Sequence, residues 1–545
     1  MHNVLLITGG QIPAHNYAQA TDILASALNA TGKIKVTQTH DAGALKNLSN
    51  YDAAVIFTDG DFFDDAGIDS LAKFVRSGKG LVTLHTTAGT NKSSDVFGKL
   101  VGARITAGKI IEHKAIVVDA THPITHRVQD FRINDEIHVL EPLSEYRTLV
   151  SAYLDGKKQP LVYVKSEGAG RVVHMAHGHA LTGLKNAGFE QLFTRAVRFA
   201  AGEDWSNKTI KCAALGYGGA FNMGKTHLES CKKALMSPTA VCDLDPARTA
   251  TAKTELGDHI VAYNDVSKML SDSDAEMVIV ITPHNTHAPL SIQVLNSNRH
   301  VVTEKPYTIT VEEATSVIEL ARQKQKMATV FHNRRWDGHF KALKNVIDSG
   351  AIGEVFQVEC QTGGFGEPKA DWWRASKAIS GGSIYDWGAH FADWMLQIMP
   401  YKIEAITGAY QKLRWFGVDN EDHTVANIRF EGGRTATLEM SSIAAIGKPA
   451  WRVLGTHGAI EMKTLGNKDD ALTVVSHVNG YEHKGRVPFL NDDWDGFYRN
   501  VADHLLVGEP LAVTPESARK VIAVLSLSEV SSKQGGAPIA LPFAQ

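Results

Sequence analysis

Between Ile210 and Asp243 the residues run strand, glycine turn, helix, strand, acid, an order that few folds accommodate. The apolar pattern predicts a strand over 210–215, a turn opening Gly216-Tyr217-Gly218-Gly219, and a helix through His227 to about Leu235. A second strand over 239–242 then ends at Asp243. Glycines let a backbone approach a pyrophosphate, and a helix N-terminus favours its charge. A carboxylate 25 residues beyond Gly218 suits a ribose diol. It would also repel a 2′-phosphate, so NAD is expected rather than NADP. The next spaced glycine, Gly224, lies six residues after Gly218 rather than three, so a longer turn is expected. Later strands over 276–282, 299–303 and 327–331 precede or follow Pro283, His287 and the tripeptide Glu304-Lys305-Pro306.

A chain of 545 residues is too long for one core, and the pattern divides it at 1–205, 209–331 and 332–545. The first segment alternates short apolar runs with helical periods, which predicts a mostly parallel sheet covered on both faces. The last segment reads as an α+β domain with a large, mostly antiparallel sheet, whose free face suits a homodimer or homotetramer. Net charge is −3 without a long run of one sign, so nucleic acid is not an expected partner. No 18-residue apolar stretch occurs, so neither is a membrane. The first ten residues lack a basic leader and read as a strand, which places the protein in the cytoplasm as an expectation. Cys212, Cys231, Cys242 and Cys360 form no C-x-x-C pair and read as reduced core residues.

Gly381-Gly382 opens a stretch in which Asp386, His390 and Asp393 fall at helical spacing. A helix from about 383 would put all three on one face, where a carboxylate can orient an imidazole acting as a general base. An incidental pair on a surface helix fits that spacing equally well. Trp373 and Arg374 precede it; together they suit a polyhydroxylated ring, or alternatively core packing beside a surface cation. With these motifs in view, residues 209–540 strongly resemble the Gfo/Idh/MocA oxidoreductases. The resemblance is carried by Pro283…His287, Glu304-Lys305-Pro306, Asn333-Arg334-Arg335 and Gly381-Gly382…Asp386…His390. It implies a Rossmann NAD-binding domain and oxidation of a secondary hydroxyl on a small carbohydrate: a sugar, glycoside or cyclitol. Lys305, Asp386 and His390 would then be catalytic. Gly216, Gly218, Gly219, Asp243, Pro283, His287, Glu304 and Lys305 would hold the cofactor, and Arg334, Trp373, Arg374 and Asp386 the substrate. Bound NAD recycled for epimerisation or glycoside cleavage, and a non-catalytic sugar or NAD sensor, are the alternatives.

Eleven of the 24 histidines lie before residue 206. Gly80-Leu-Val-Thr-Leu-His85, His122-Pro123-Ile124, Asp135-Glu136, Gly170-Arg171-Val172 and Gly178-His179 resemble the trehalose-utilisation (ThuA-like) family in order. That implies a class I glutamine-amidotransferase-like, flavodoxin-like fold. No cysteine stands near His85, so thiol-based glutamine hydrolysis is excluded. His15 and His85 follow strands, where ligands sit in such sheets. His85, His113, Glu136 and His179 admit three readings: a polar sugar pocket, an acid–base cluster on a sugar, or imidazole–carboxylate metal ligands. Spacing does not choose among them, and no metal is assigned. The family's association with 3-keto sugars suggests that the second domain makes a keto-glycoside and the first processes it.

Overall fold

The computed structural model describes residues 1–12, 15–219, 221–465 and 471–545. They form two compact units: Met1–Lys208 with Leu506–Pro510, and Thr209–Leu505 with Leu511–Gln545.

The strands of the first unit are β1 (His2–Gly9), β2 (Ile34–Thr39), β3 (Ala53–Thr58), β4 (Gly80–Leu84), β5 (Ala103–Val117), β6 (Phe131–Pro142), β7 (Arg147–Leu154), β8 (Lys157–Glu167) and β9 (Gly170–Met175). They make one sheet in the order β2-β1-β3-β4-β9-β8-β7-β5-β6. Every residue of β3 and β4 is buried, as parallel strands covered on both faces require. Leu24 and Leu28 of helix Tyr17–Ala30 pack with Phe189 and Phe193 of helix Ala187–Ala200 in one core. Ile68, Leu71 and Val75 of helix Asp65–Arg76 lie in the other, with Phe97 and Leu100. The sheet is parallel only from β2 to β9; β8, β7, β5 and β6 extend it antiparallel. This half departs from the expected mostly parallel sheet. Its longest strand, β5, is largely exposed, and the runs Ile110-Ile111 and Ala115-Ile116-Val117 break any period-two alternation that could be read.

The second unit opens with β10 (Lys211–Leu215), β11 (Ser237–Cys242), β12 (Val261–Tyr263), β13 (Met277–Val280), β14 (His300–Thr303) and β15 (Ala328–Val330). All are parallel, in the order β12-β11-β10-β13-β14-β15. The strand order reverses between β10 and β13, the crevice where open α/β sheets bind ligands. A further sheet comprises β16 (Val355–Gly363), β17 (Ile403–Gln411), β18 (His423–Phe430), β19 (Thr435–Ser441), β20 (Trp451–Gly455), β21 (Gly458–Met462), β22 (Ala471–Val478) and β23 (Tyr481–Pro488). Only β16 and β19 pair parallel in it. Its inward Ile406, Ile428, Leu438 and Val453 pack against Phe391 and Trp394 of helix Gly388–Ile398 and Val521 and Leu525 of helix Pro515–Lys533. Among the described residues, no helix is long and apolar enough to cross a membrane.

Candidate active site

At the end of β10, Gly216 adopts φ +100°, and a Cβ there would lie 2.1 Å from the Ile281 carbonyl oxygen. A Cβ on Gly224 would come within 2.7 Å of the Gly216 oxygen, so turn and helix abut. Gly218 and Gly219 are also left-handed, and a side chain at Gly219 would meet nothing within 4 Å. Ala220 lies outside the described residues. The helix Met223–Lys233 begins without a side-chain cap, because Asn222 Oδ1 instead accepts from the Gly218 N–H at 3.0 Å. Uncapped first-turn amides beside open space fit a dinucleotide's pyrophosphate. Asp243 Oδ2 accepts from the Tyr217 N–H at 3.0 Å and Oδ1 from Asp245 N–H at 3.0 Å, with the Arg248 guanidinium 3.6 Å away.

The ends of β13 and β14 carry the next residues. His287 is fully buried, and its two ring nitrogens face the carbonyl oxygens of Pro306 at 2.7 Å and Thr282 at 2.8 Å. Both ring nitrogens face backbone carbonyls, so His287 bridges the Pro283 turn and the Lys305–Pro306 turn, whose peptide is cis. Glu304 is likewise turned inward, accepting from its neighbour Lys305 N–H at 2.7 Å and contacting His227 Nε2 at 3.1 Å. Burial pushes its carboxyl up, but His227 and Lys305 outweigh that and hold it below the usual range.

Lys305 Nζ reaches across to Asp386, donating to its Oδ1 at 2.7 Å and its backbone oxygen at 3.1 Å. Arg374 Nε stands 3.7 Å from the same Oδ1. Burial would raise the Asp386 carboxyl, yet the Lys305 and Arg374 cations hold it lowered. The expected helix from 383 begins only at Gly388; Asp386 sits ahead of it, after a single 3-10 turn over Ser383–Tyr385. Asp386 therefore faces Lys305 and does not orient His390. Nor does Asp393, which binds Arg335 through both carboxylate oxygens at 2.8 and 2.5 Å. The His390 ring has no hydrogen-bond partner among the described residues, and its Nδ1 is buried. Burial first, then the charges of Lys305, Arg334 and His332, keep its pKa well below 6.5.

A cavity of about 660 Å³ opens beside Asp386, bounded by Trp372, Arg374, Trp387, His284 and Glu421. Arg374 is stacked over Trp373 at 4.3 Å and Trp372 at 4.8 Å, so it presents an aromatic face and a cation together. Arg334 lies over Trp387 at 4.6 Å and is paired with Asp337 at 3.0 Å. His284 and Glu421 were not singled out from the sequence. His284 Nδ1 donates to the Ser380 carbonyl oxygen at 2.8 Å, and the ring sits edge-on to Trp373. Its position one residue after Pro283 was the available signal. Glu421 accepts from Ser383 N–H at 3.2 Å and pairs with Lys377, from a loop that carries no periodic pattern.

In the first unit, His15, His85, Glu136 and His179 converge at the carboxyl end of the parallel strands. Glu136 Oε2 lies 3.1 Å from His179 Nδ1 and 3.5 Å from His85 Nε2; His15 Nε2 is 3.4 Å from His179 Nδ1. His113 is not part of this group but pairs with His177, Nε2 to Nε2 at 2.9 Å. In its place stands His138, 3.5 Å from Glu136 and stacked on His85 at 4.5 Å. It is two residues after Glu136 on β6, so strand alternation puts both on one face. His85 has φ +47° directly after β4.

A trehalose-utilisation (ThuA) family model matches residues 3–200. The NAD-binding Rossmann-fold oxidoreductase family model matches 210–332, and the GFO/IDH/MocA C-terminal domain model 340–461. Over 348 residues the chain is 24% identical to an NADP-dependent scyllo-inositol 2-dehydrogenase of Bacillus subtilis, covering 60% of this chain and 94% of that protein. It is 33% identical over 154 residues to an inositol 2-dehydrogenase of Salmonella paratyphi B, which covers 28% of this chain and 45% of the relative. The solved structure of an NAD-binding protein from Listeria innocua is similar with a TM-score of 0.54 and 26% identity, over 61% of this chain and 97% of that one.

Proposed function

As a member of the Gfo/Idh/MocA oxidoreductases that also carries a trehalose-utilisation domain, the chain is a sugar or polyol oxidoreductase, and we propose that it oxidises a secondary ring hydroxyl with NAD as acceptor. The observation that carries this reading is Asp386, which lines a cavity of about 660 Å³ and is held at 2.7 Å by the Lys305 ammonium behind it, with His390 unpaired and felt by the Lys305 charge. Bound at the Gly216–Gly219 turn, NAD would supply the hydride acceptor. Asp243 favours NAD in this reading by repelling a 2′-phosphate, although a relative uses NADP.

The protein's own groups then divide the work. Loss of hydride from a carbinol carbon leaves a proton to remove, and a neutral imidazole at His390 accepts it. The Lys305 ammonium stabilises the negative charge that develops on the oxygen. Asp386 holds the ammonium in place, and Arg374 with Trp372 and Trp373 grips the rest of the ring. Residues 209–331 would thus serve the cofactor and 332–545 the substrate. Residues 1–205 would act next on the keto sugar, whose carbonyl acidifies the neighbouring C–H bond. A 3-keto glycoside is the product this sequence of steps favours.

The test is incubation of the full-length protein with NAD and a panel of cyclitols, hexoses and disaccharides. Reduced nicotinamide and a ketone two mass units below the substrate are expected. Epimer or cleaved glycoside without net reduced nicotinamide would move the reading to recycled cofactor. No product from any polyol would refute it.

A further inference from the structure

We propose that the histidine cluster of the first unit binds one divalent transition-metal ion through His15, His85 and His179, with Glu136 beside two of them. Three imidazole nitrogens are a donor set that suits zinc and its neighbours. The spacing is the first argument. Bonds of about 2.0–2.1 Å place tetrahedral ligand atoms about 3.3 Å apart. Here His15 Nε2 and His179 Nδ1 are 3.4 Å apart, and Glu136 Oε2 lies 3.1 Å from His179 Nδ1 and 3.5 Å from His85 Nε2. His15, His85 and His179 offer nitrogens all within 4.8 Å of one another; a second set, the nitrogens of His85 and His138 with a Glu136 carboxylate oxygen, meets the same limit and shares His85.

The outer contacts are the second argument, because each fixes which nitrogen faces inward. His85 Nδ1 is engaged by the Ala176 carbonyl oxygen at 2.8 Å, which leaves the Nε2 lone pair for the cluster. That Nε2 is buried without a hydrogen bond. His15 Nδ1 lies 3.1 Å from Tyr17 Oη, and the Tyr17 hydroxyl in turn donates to Asp59. Asp59 is itself fixed by the N–H groups of Gln11 at 2.7 Å and Ile12 at 3.1 Å. This carboxylate–hydroxyl–imidazole chain turns His15 Nε2 inward. His85 is third: it holds a left-handed backbone at φ +47°, a conformation that costs an imidazole side chain and persists where the surroundings impose it. His138, stacked on His85 and 3.5 Å from Glu136, steadies both. Three protein ligands leave a tetrahedral ion one coordination position for an oxygen of a hydroxy-ketone.

The site is tested on untagged full-length protein stripped with chelator and titrated with cobalt(II), read by its ligand-field absorption and by calorimetry. One equivalent per chain is expected. His179→Ala, at a partly exposed position, removes that equivalent, with the fold checked by circular dichroism. Tyr17→Phe keeps the packing but loosens His15 and weakens binding about 10–100-fold. His477→Ala, at an exposed histidine of the second unit, leaves binding unchanged. Absence of a stoichiometric ion in the parent protein, or undiminished binding in His179→Ala, overturns the proposal. Oxidation of polyol by the second unit is read separately and does not bear on either result.

Discussion

Replacing Lys305 by methionine keeps the length of the stem and deletes the cation, which separates two effects. The first is rate. An ammonium preorganised against a developing alkoxide contributes what one oxyanion donor does, roughly 2.7–4 kcal/mol, so kcat falls about 10²–10³-fold. The second is pH dependence, and its sign is fixed by the structure. His390 has to be neutral to take a proton, so kcat/KM declines as pH drops through its pKa. Burial, then Lys305, Arg334 and His332, hold that pKa well below 6.5. Lys305 is the largest of the three charge effects, so deleting it moves the acid limb upward, toward 6.5. Asp386 keeps Arg374 at 3.7 Å but loses its nearest cation, and its carboxyl rises as well. A purely structural defect would depress the rate by one factor at every pH. The assay is kcat/KM across pH for parent and variant, with circular dichroism and NAD affinity as controls. A kcat within about tenfold of the parent, or an acid limb that stays still or shifts down, would refute the assignment.

Gly216→Ala places a Cβ 2.1 Å from the Ile281 oxygen at φ +100°, so a loss of at least about 1–3 kcal/mol in thermal unfolding and weakened NAD binding are expected. Asp393→Ala strands the buried Arg335 guanidinium, and breaking such a pair costs about 3–5 kcal/mol, measurable by denaturant titration. In the parent protein, burial opposes ionisation of Asp393 but Arg335 outweighs it, so its carboxyl is lowered; that stability is complete above the ordinary carboxylate range and disappears as pH falls through the lowered value. Asp243→Ser removes a charge contact on the order of 1 kcal/mol and leaves Arg248 with Asp245 at 3.7 Å, so the kcat/KM ratio should move roughly five- to tenfold toward NADP.

Much of this architecture is written in local pattern. The β3 run Ala53–Thr58, apolar but for its last residue, is legible to the residue, and the strand–turn–helix around Gly216 is legible to within a residue or two at its ends. Patterns failed where tertiary contacts overrode them. Asp386 has helical spacing to His390, but its pairing with Lys305 accompanies a break before Gly388 that no single window of sequence contains. Asp393 looked like a partner for the imidazole until Arg335, 58 positions earlier, proved to hold it. His113 and His138 show the same limit in the first unit. Both sit on paired strands, yet only strand register decides that His113 meets His177 while His138 meets His85.

The turn at residue 85 has a consequence of its own. A fully packed parallel strand, β4, delivers whatever side chain follows it into the mouth of the sheet, and the left-handed backbone there is set by neighbours, not by the imidazole. Presentation and reagent are therefore separable at this position. Any residue placed after β4 would be presented at that same mouth, so the chemistry offered there can change while the strand that delivers it stays as it is.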